Sequence, residues 1–375
     1  MGSDQFFAKR ASVGIADDTA VTELIAFALD SLSSLRHGSG LYCYDRVWGA
    51  TELRGESFRY SFMVLLGLQR AQAAGYSVAV DLDALFEACL DRRSTFTLGD
   101  IGLAMWADSR CGGNRHRDLL AQLQRAAAND SDLDELVGME IAWLVTGLSL
   151  QVGIGADDGG MLARVLRSMK RRVAPSGLFL HDGASKPRSR FPNFATEIYA
   201  VLALATAARL DLDGDARALA ENTANQLLRL QIGDGGWPWL FDARRGTVVE
   251  RYEIYTVHQD AMAPMALLEL SAVTGDARYR DAAIAGLAWS RGHNELGVDL
   301  LDAEHHFAHR SIRRKSPWNR AAQAANVAGS VVAGRPIRVS GSALEVNRTC
   351  RPYHLGWMLE AWAGRELEGS DAADG

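Results

Sequence analysis

Residues Phe194–Ala208 read FATEIYAVLALATAA, apolar on nearly every face when wound at helical pitch. A helix that is apolar all round is buried all round. Five other stretches share this character: Phe58–Leu68, Ile101–Trp106, Met139–Leu150, Ala261–Ala272 and Tyr353–Ala363. Between them lie helices of a second kind. Val21, Leu24, Ile25, Ala28, Leu32 and Leu35 form one apolar stripe, as in a helix with one face on a core and the other in water. Similar polar-faced helices begin near Leu82, Arg115, Gly159, Asp215 and Asp276.

Six half-exposed helices alternating with six buried ones satisfy both patterns if hairpins close into a ring, with buried helices inside and amphipathic ones outside. An open superhelical stack is the competitor, but its repeats are even and these are not. The expected fold is therefore all-α, an (α/α)6 toroid of six hairpins. It forms a single domain over residues 1–375, with 1–19 as a loose end and 292–349 as a long insertion before the last inner helix.

Composition fits such a body. Of 375 residues, 48% are hydrophobic and 23% charged, enough for a sizeable core. A net charge of −6 argues against a nucleic-acid partner, which calls for clustered Lys and Arg. The basic runs Lys170-Arg171-Arg172 and Arg313-Arg314-Lys315 are short and read as solvated helix ends or loop. Met1–Ala20 lacks the apolar centre of a signal peptide, and no run reaches the ~18 apolar residues of a membrane span. Cys43, Cys89, Cys111 and Cys350 are scattered, which reads as reduced thiols and a cytoplasmic location.

Three long connections stand out: Pro175–Pro192, Gly233–Glu253 and Gly292–Thr349. The first holds a short-strand candidate, Leu178-Phe179-Leu180, and the second a hairpin about Arg244-Arg245-Gly246. Long loops in compact domains tend to be functional, and in a toroid they crowd one mouth, where the site is expected.

The sharpest local motif is Gln231-Ile232-Gly233-Asp234-Gly235-Gly236-Trp237, followed by Pro238 and Trp239. Gln closes the outer helix, the Gly pair permits a tight turn with positive φ, and Trp packs back on the next hairpin. This QxxDGGW pattern resembles repeats of squalene–hopene-type cyclases and loops of six-hairpin glycosidases and α/α-toroid polysaccharide lyases. In outline the chain is also similar to toroid proteins encoded beside exopolysaccharide genes. The Asp-x-Asp-Asp acid of the triterpene cyclases is missing, Asp211-Leu212-Asp213-Gly214-Asp215 having the wrong spacing. Prenyltransferase-type and lanthionine-cyclase-type toroids need a zinc set that Cys350 and His354 alone do not make. The resemblance thus implies the carbohydrate-active branch, in polysaccharide metabolism or biosynthesis, without a cofactor.

Candidate site residues follow from the inner-helix starts. Glu140, Glu197 and Asp260 each precede an apolar run at matching points of three hairpins. Glu197 and Asp260 are the expected carboxylate pair for cleaving a glycosidic bond, one as general acid and one as base. Asn193 and Thr256 lie four residues before them and share their helix faces. The opposing reading is that such acids complement the helix dipole in solvent. Tyr255 and His258 form an alternative acid–base pair, better suited to a lyase or epimerase. His258 and Asp260 are two apart, so an ideal helix cannot aim both at the axis, and distortion at Pro264 leaves both open. A structural, hydrogen-bonded His258 is the plain alternative.

First and last hairpins meet at ring closure, bringing Arg59, Tyr60 and Glu56 near Arg351, Tyr353 and His354. Arg beside aromatics suits a sugar carboxylate. Ion pairs to Glu56 or Glu345 are the structural alternative. Tyr42, Tyr44, Trp48, Trp237 and Trp239 offer aromatic surface for sugar faces, or satellite core. His305, His306 and His309 lack an HExxH setting, and no metal is expected. The resulting expectation is a glycoside hydrolase or lyase. Its rivals are a non-catalytic sugar-binding or scaffold protein for polysaccharide assembly and, more weakly, a terpenoid cyclase. Oligomeric state is not legible.

Overall fold

A computed structural model describes residues 18–157, 159–183, 186–315, 320–337 and 339–365. Most of the expected loose end, residues 1–17, lies outside them. Outer α1 (Asp18–Ser33) leads into inner α2 (Phe58–Ala73), and α3 (Leu82–Leu90) into α4 (Leu98–Ser109). The next hairpin runs from α5 (His116–Ala126), through the short α6 (Asp130–Asp134), to α7 (Gly138–Gly153). It is followed by α8 (Gly160–Lys170) with α9 (Phe194–Arg209), then α10 (Ala216–Leu230) with α11 (Ala263–Thr274). Finally, α12 (Ala277–Ser290) connects through α13 (Arg320–Ala333) to α14 (Pro352–Trp362). Each inner helix packs on its two inner neighbours, and α14 returns to α2. The chain is therefore an (α/α)6 toroid, with all six apolar stretches inside.

The starts are fixed locally. Ser57 caps α2 through the Tyr60 amide, Thr97 and Asp100 form a capping box on α4, and the Asn193 side chain accepts from Thr196 N–H at α9. Close helix crossings need glycine. A Cβ on Gly102 would stand 2.6 Å from the Leu144 nitrogen, and one on Gly356 2.5 Å from the Met63 carbonyl oxygen. These bring α4 onto α7 and α14 onto α2. Across the ring's middle, Trp106 stacks on Trp357 at 5.5 Å, Tyr199 meets Trp357 at 6.1 Å, and Trp143 meets Tyr199 at 5.4 Å. All four are buried, so this aromatic layer fills the lumen.

Every outer-to-inner connection emerges where the inner helices begin, and every inner-to-outer turn is short, so the mouths differ. The long-loop mouth carries all the strands. β1 (Cys43–Val47) pairs with β2 (Leu53–Glu56), and β3 (Leu240–Asp242) with β4 (Thr247–Glu250), the latter a hairpin about Arg244–Gly246 as expected. Then come β5 (Ile254–Tyr255), β6 (Leu301–Asp302), β7 (Phe307–Ala308), β8 (Ser311–Arg314), β9 (Leu344–Asn347) and β10 (Thr349–Cys350). They assemble as β5-β8-β9, β6-β7 and β10-β1-β2, all antiparallel. The last sheet joins the first hairpin to the last.

Two local expectations need correction. Leu178–Leu180 is not a strand; Phe179 makes only an isolated bridge to Val173. Part of 292–349 is helical rather than loop, because the Ala-rich residues of α13 are strong helix formers.

Candidate active site

Pro264 shapes the centre of the long-loop mouth. It sits in the first turn of α11, preceded by a π turn over His258–Met262, where Ala263 N–H reaches back to His258 C=O. Proline has no N–H to give to the carbonyl four residues earlier, that of Asp260. The Trp362 indole N–H takes that carbonyl instead, at 2.6 Å, from α14. The wider turn also resolves the geometric conflict between His258 and Asp260, since both now sit buried in the mouth. Such π bulges recur at functional sites.

The Gln231–Trp237 motif holds this turn from behind. Gln231 Nε2 donates to the Gly235 and Ala282 carbonyls, and Gly235 takes φ +99°. Gly236 does not adopt positive φ; instead it lies against Trp289. Trp237 N–H donates to Gln259 Oε1 at 2.7 Å, and Gln259 Nε2 donates to Tyr255 C=O. Trp237 is fully buried on Phe194. It therefore positions the π turn and offers no surface to a ligand, contrary to its expected binding role.

Around the turn, Trp239 stacks on the His258 ring at 5.9 Å, and Tyr255 and Phe194 lie 5.2 and 5.1 Å from it. Arg310 covers the Tyr255 ring at 4.9 Å. Burial, then the charges of Arg310 and His354, push the His258 pKa down to about 3, so this imidazole is neutral at ordinary pH. Burial and then Glu253 raise Tyr255 to about 12. Asp260 Oδ1 accepts from His354 Nε2 at 2.7 Å, while Asp260 Oδ2 and His258 Nδ1 are buried without a partner. A carboxylate behind one ring nitrogen fixes the tautomer and steadies the protonated form.

On the ring-closing side Tyr60 lies 4.6 Å from Tyr353 and 5.5 Å from Tyr44. Arg351 donates to the Tyr60 and Tyr44 hydroxyls at 2.6 and 2.8 Å. The expected meeting of first and last hairpins thus occurs, but without the salt bridges considered for it. Glu56 faces Arg92, Glu345 faces Arg313, and Arg59 is held by Asp100 at 2.6 Å and Glu140 at 3.3 Å.

The expectation of a Glu197–Asp260 acid–base pair does not fit the geometry. Glu197 is fully buried, and both carboxylate oxygens accept from the Phe179 N–H, at 3.1 and 2.9 Å. Burial holds its pKa well above the usual carboxylate range, and its partner is a loop amide rather than the mouth. Asn193 is engaged in capping. His305 sits at the surface with Asp302, which also accepts from the Trp48 indole. Among the described residues no His, Cys, Asp and Glu side chains group as a metal-binding set.

Arg310 escaped the sequence reading because a lone arginine in an irregular loop has no periodicity to mark it. Trp362 was seen only as part of an apolar run. Pro264 was the one visible signal that Asp260 C=O would need a donor.

No family model matches the chain, and no curated protein sequence matches it. Solved structures do. Cellobiose 2-epimerase from Bacillus thermoamylovorans is similar with a TM-score of 0.61 at 10% identity, covering 92% of this chain and 99% of that one. A sugar epimerase from a ruminal bacterium gives 0.60 at 11%, covering 91% and 97%. An unsaturated glucuronyl hydrolase specific for heparin gives 0.61 at 12%, covering 92% and 96%. At these identities the likeness speaks to the fold, and the chain shares the six-hairpin (α/α)6 toroid of these proteins.

Proposed function

We propose that the long-loop mouth carries out acid–base chemistry on a carbohydrate, moving a proton at the carbon beside a sugar carbonyl, as in epimerisation or isomerisation. The observation that carries this reading is the neutral His258 set beside a His354 backed by Asp260. In this scheme His354 takes the proton from carbon and Asp260 stabilises the resulting imidazolium. The C–H electron pair moves onto the carbonyl oxygen, where neutral His258 donates a hydrogen bond. His354 then gives a proton back, either to that carbon from its opposite face once the enediolate has turned over or to the neighbouring carbon in isomerisation, and the electron pair leaves the oxygen. Trp239, Tyr255, Tyr353 and Tyr60 supply aromatic walls of the kind that orient sugars, and two of the proteins that share this fold are sugar epimerases. We place the reaction in the cytoplasm, a reading supported by the free cysteines.

A second reading, cleavage of a glycosidic bond by hydrolysis or elimination, is favoured by one observation: Asp260 Oδ2 has no partner. That reading still needs a second carboxylate, and Glu197, Glu140 and Asp100 are all engaged. The test is incubation with reducing disaccharides in D2O, following both solvent deuterium at carbon and bond cleavage by NMR. Deuterium uptake without cleavage is expected, reduced roughly 1,000-fold by His354→Ala and retained by Glu197→Gln. Cleavage without exchange would install the second reading. Binding without either would leave a non-catalytic sugar-binding protein.

A further inference from the structure

Two guanidiniums at the long-loop mouth are satisfied differently from the arginines around them. Arg59 and Arg314 are each paired with buried carboxylates. Arg351 instead contacts two phenols, and its Nε is buried without a partner. Arg310 lies over Tyr255, and its Nη1 is also buried without a partner. Among the described residues neither makes a salt bridge. The nearby Glu253 accepts from Ser311 and Asn347. Burial raises the Tyr60 and Tyr255 hydroxyls above their usual range, so the phenols stay uncharged and do not neutralise the arginines.

We propose that the saccharide taken by this mouth carries a carboxylate, as a uronic acid does, and that Arg310 and Arg351 hold it. The proposal rests on the reading of the mouth as a sugar site. Arg351 lies 5.7 Å from the Tyr60 ring, and both guanidinium charges bear on the Tyr60 phenol. A sugar ring lying on Tyr60 and Tyr353 would therefore present a substituent near two forks that make no ion pair. Such a fork matches a planar carboxylate through two parallel N–H bonds. A neutral hydroxymethyl at the same point accepts fewer hydrogen bonds and leaves both charges unmatched. The arginine arrangement is thus a selectivity device, separate from the His258–His354 chemistry.

The test measures binding and not turnover. Calorimetry would compare a uronate-terminated disaccharide with the same disaccharide reduced to the neutral sugar and with that neutral sugar carrying an anionic O-sulfate. The uronate is expected to bind roughly 10–100-fold tighter than the neutral sugar. That preference should collapse in Arg310→Gln and in Arg351→Gln, with neutral-sugar affinity little changed. Arg351→Lys, which keeps charge without the fork and guards against misfolding, should retain only part of the preference. Equal binding of uronate and neutral sugar would overturn the proposal while leaving the sugar site standing. Binding of the sulfated sugar alone would overturn the carboxylate assignment. Failure of all three to bind would overturn the proposal and the underlying site reading together.

Discussion

The two mouths of the ring are made by opposite ends of the same helices, yet some of their arginines are held in different ways. At the short-turn mouth Arg110 grips Glu360 through both Nη atoms, at 2.8 and 2.6 Å, and Arg209 and Arg365 share Glu269. At the long-loop mouth Arg310, Arg351, His258 and Asp260 each keep a buried polar atom unmatched. Open space does not follow the chemistry. A cavity of about 890 Å³ lies at the short-turn end, lined by Arg70, Arg110, Asp81 and Asp83 among others. Buried polar atoms without a partner occur at both ends, Gln69 Oε1 and Arg365 Nε among them at the short-turn mouth, so it is the clustering of such groups about the Trp239–Tyr255–His258 rings that marks the candidate site.

The largest effect that would sharpen this contrast is a stability loss confined to the matched mouth. Glu360→Gln leaves Arg110 half-buried without its counter-charge and is expected to cost about 3 kcal/mol in denaturant unfolding. Sugar exchange measured on the still-folded fraction should be unchanged. A parallel loss of exchange activity would show that the mouths are not separable.

Acid titration separates the two buried groups that sequence left entangled. His258 is depressed in the folded state, to about 3, against an ordinary 6.5. The unfolded chain therefore binds the extra proton first, and native stability falls as pH drops below ~6.5, by about 1.4 kcal/mol per pH unit. Glu197 has the opposite sign. Its folded pKa is raised, so its contribution is full below the unfolded value of ~4.3 and is lost as pH climbs above it. His258→Asn should flatten the acid limb, and Glu197→Gln should remove the loss on the rising side. Melting temperatures across pH 4–8 check both. An acid limb unaltered in His258→Asn would break the assignment of a neutral buried imidazole.

The smallest effect expected is at Trp362. Replacement by Phe removes the indole N–H from Asp260 C=O and should cost about 1 kcal/mol. It should also slow exchange modestly, because the π turn holding Asp260 against His354 loses its brace. A stability loss with no change in rate would show that α14 alone fixes the dyad.

Much of the ring was legible because burial on all faces and burial on one face leave different periodic signatures. The outer helices begin at Leu82, His116, Gly160, Ala216 and Ala277, within one residue of the polar-to-apolar switches that mark them. The site was legible only in part. Closure of the first hairpin on the last brought Tyr60, Arg351 and Tyr353 together at one mouth, as the sequence implied. Repeat equivalence misled at Glu197, because the direction of a carboxylate depends on which loop amide comes near, here that of Phe179, and loop paths carry no period. The π turn was hidden for a similar reason: Pro264 announces a missing donor but not the carbonyl's eventual partner on a helix nearly a hundred residues away.

The aromatic layer of Trp106, Trp143, Tyr199 and Trp357 makes the toroid a cup and not a tube. Under the proposed function, a saccharide chain could not thread from one face to the other, so it would enter the long-loop mouth end-first and leave by the same way. Such a vessel would favour chain termini or short oligomers over the middle of a polymer. Each product would have to back out before the next molecule could enter.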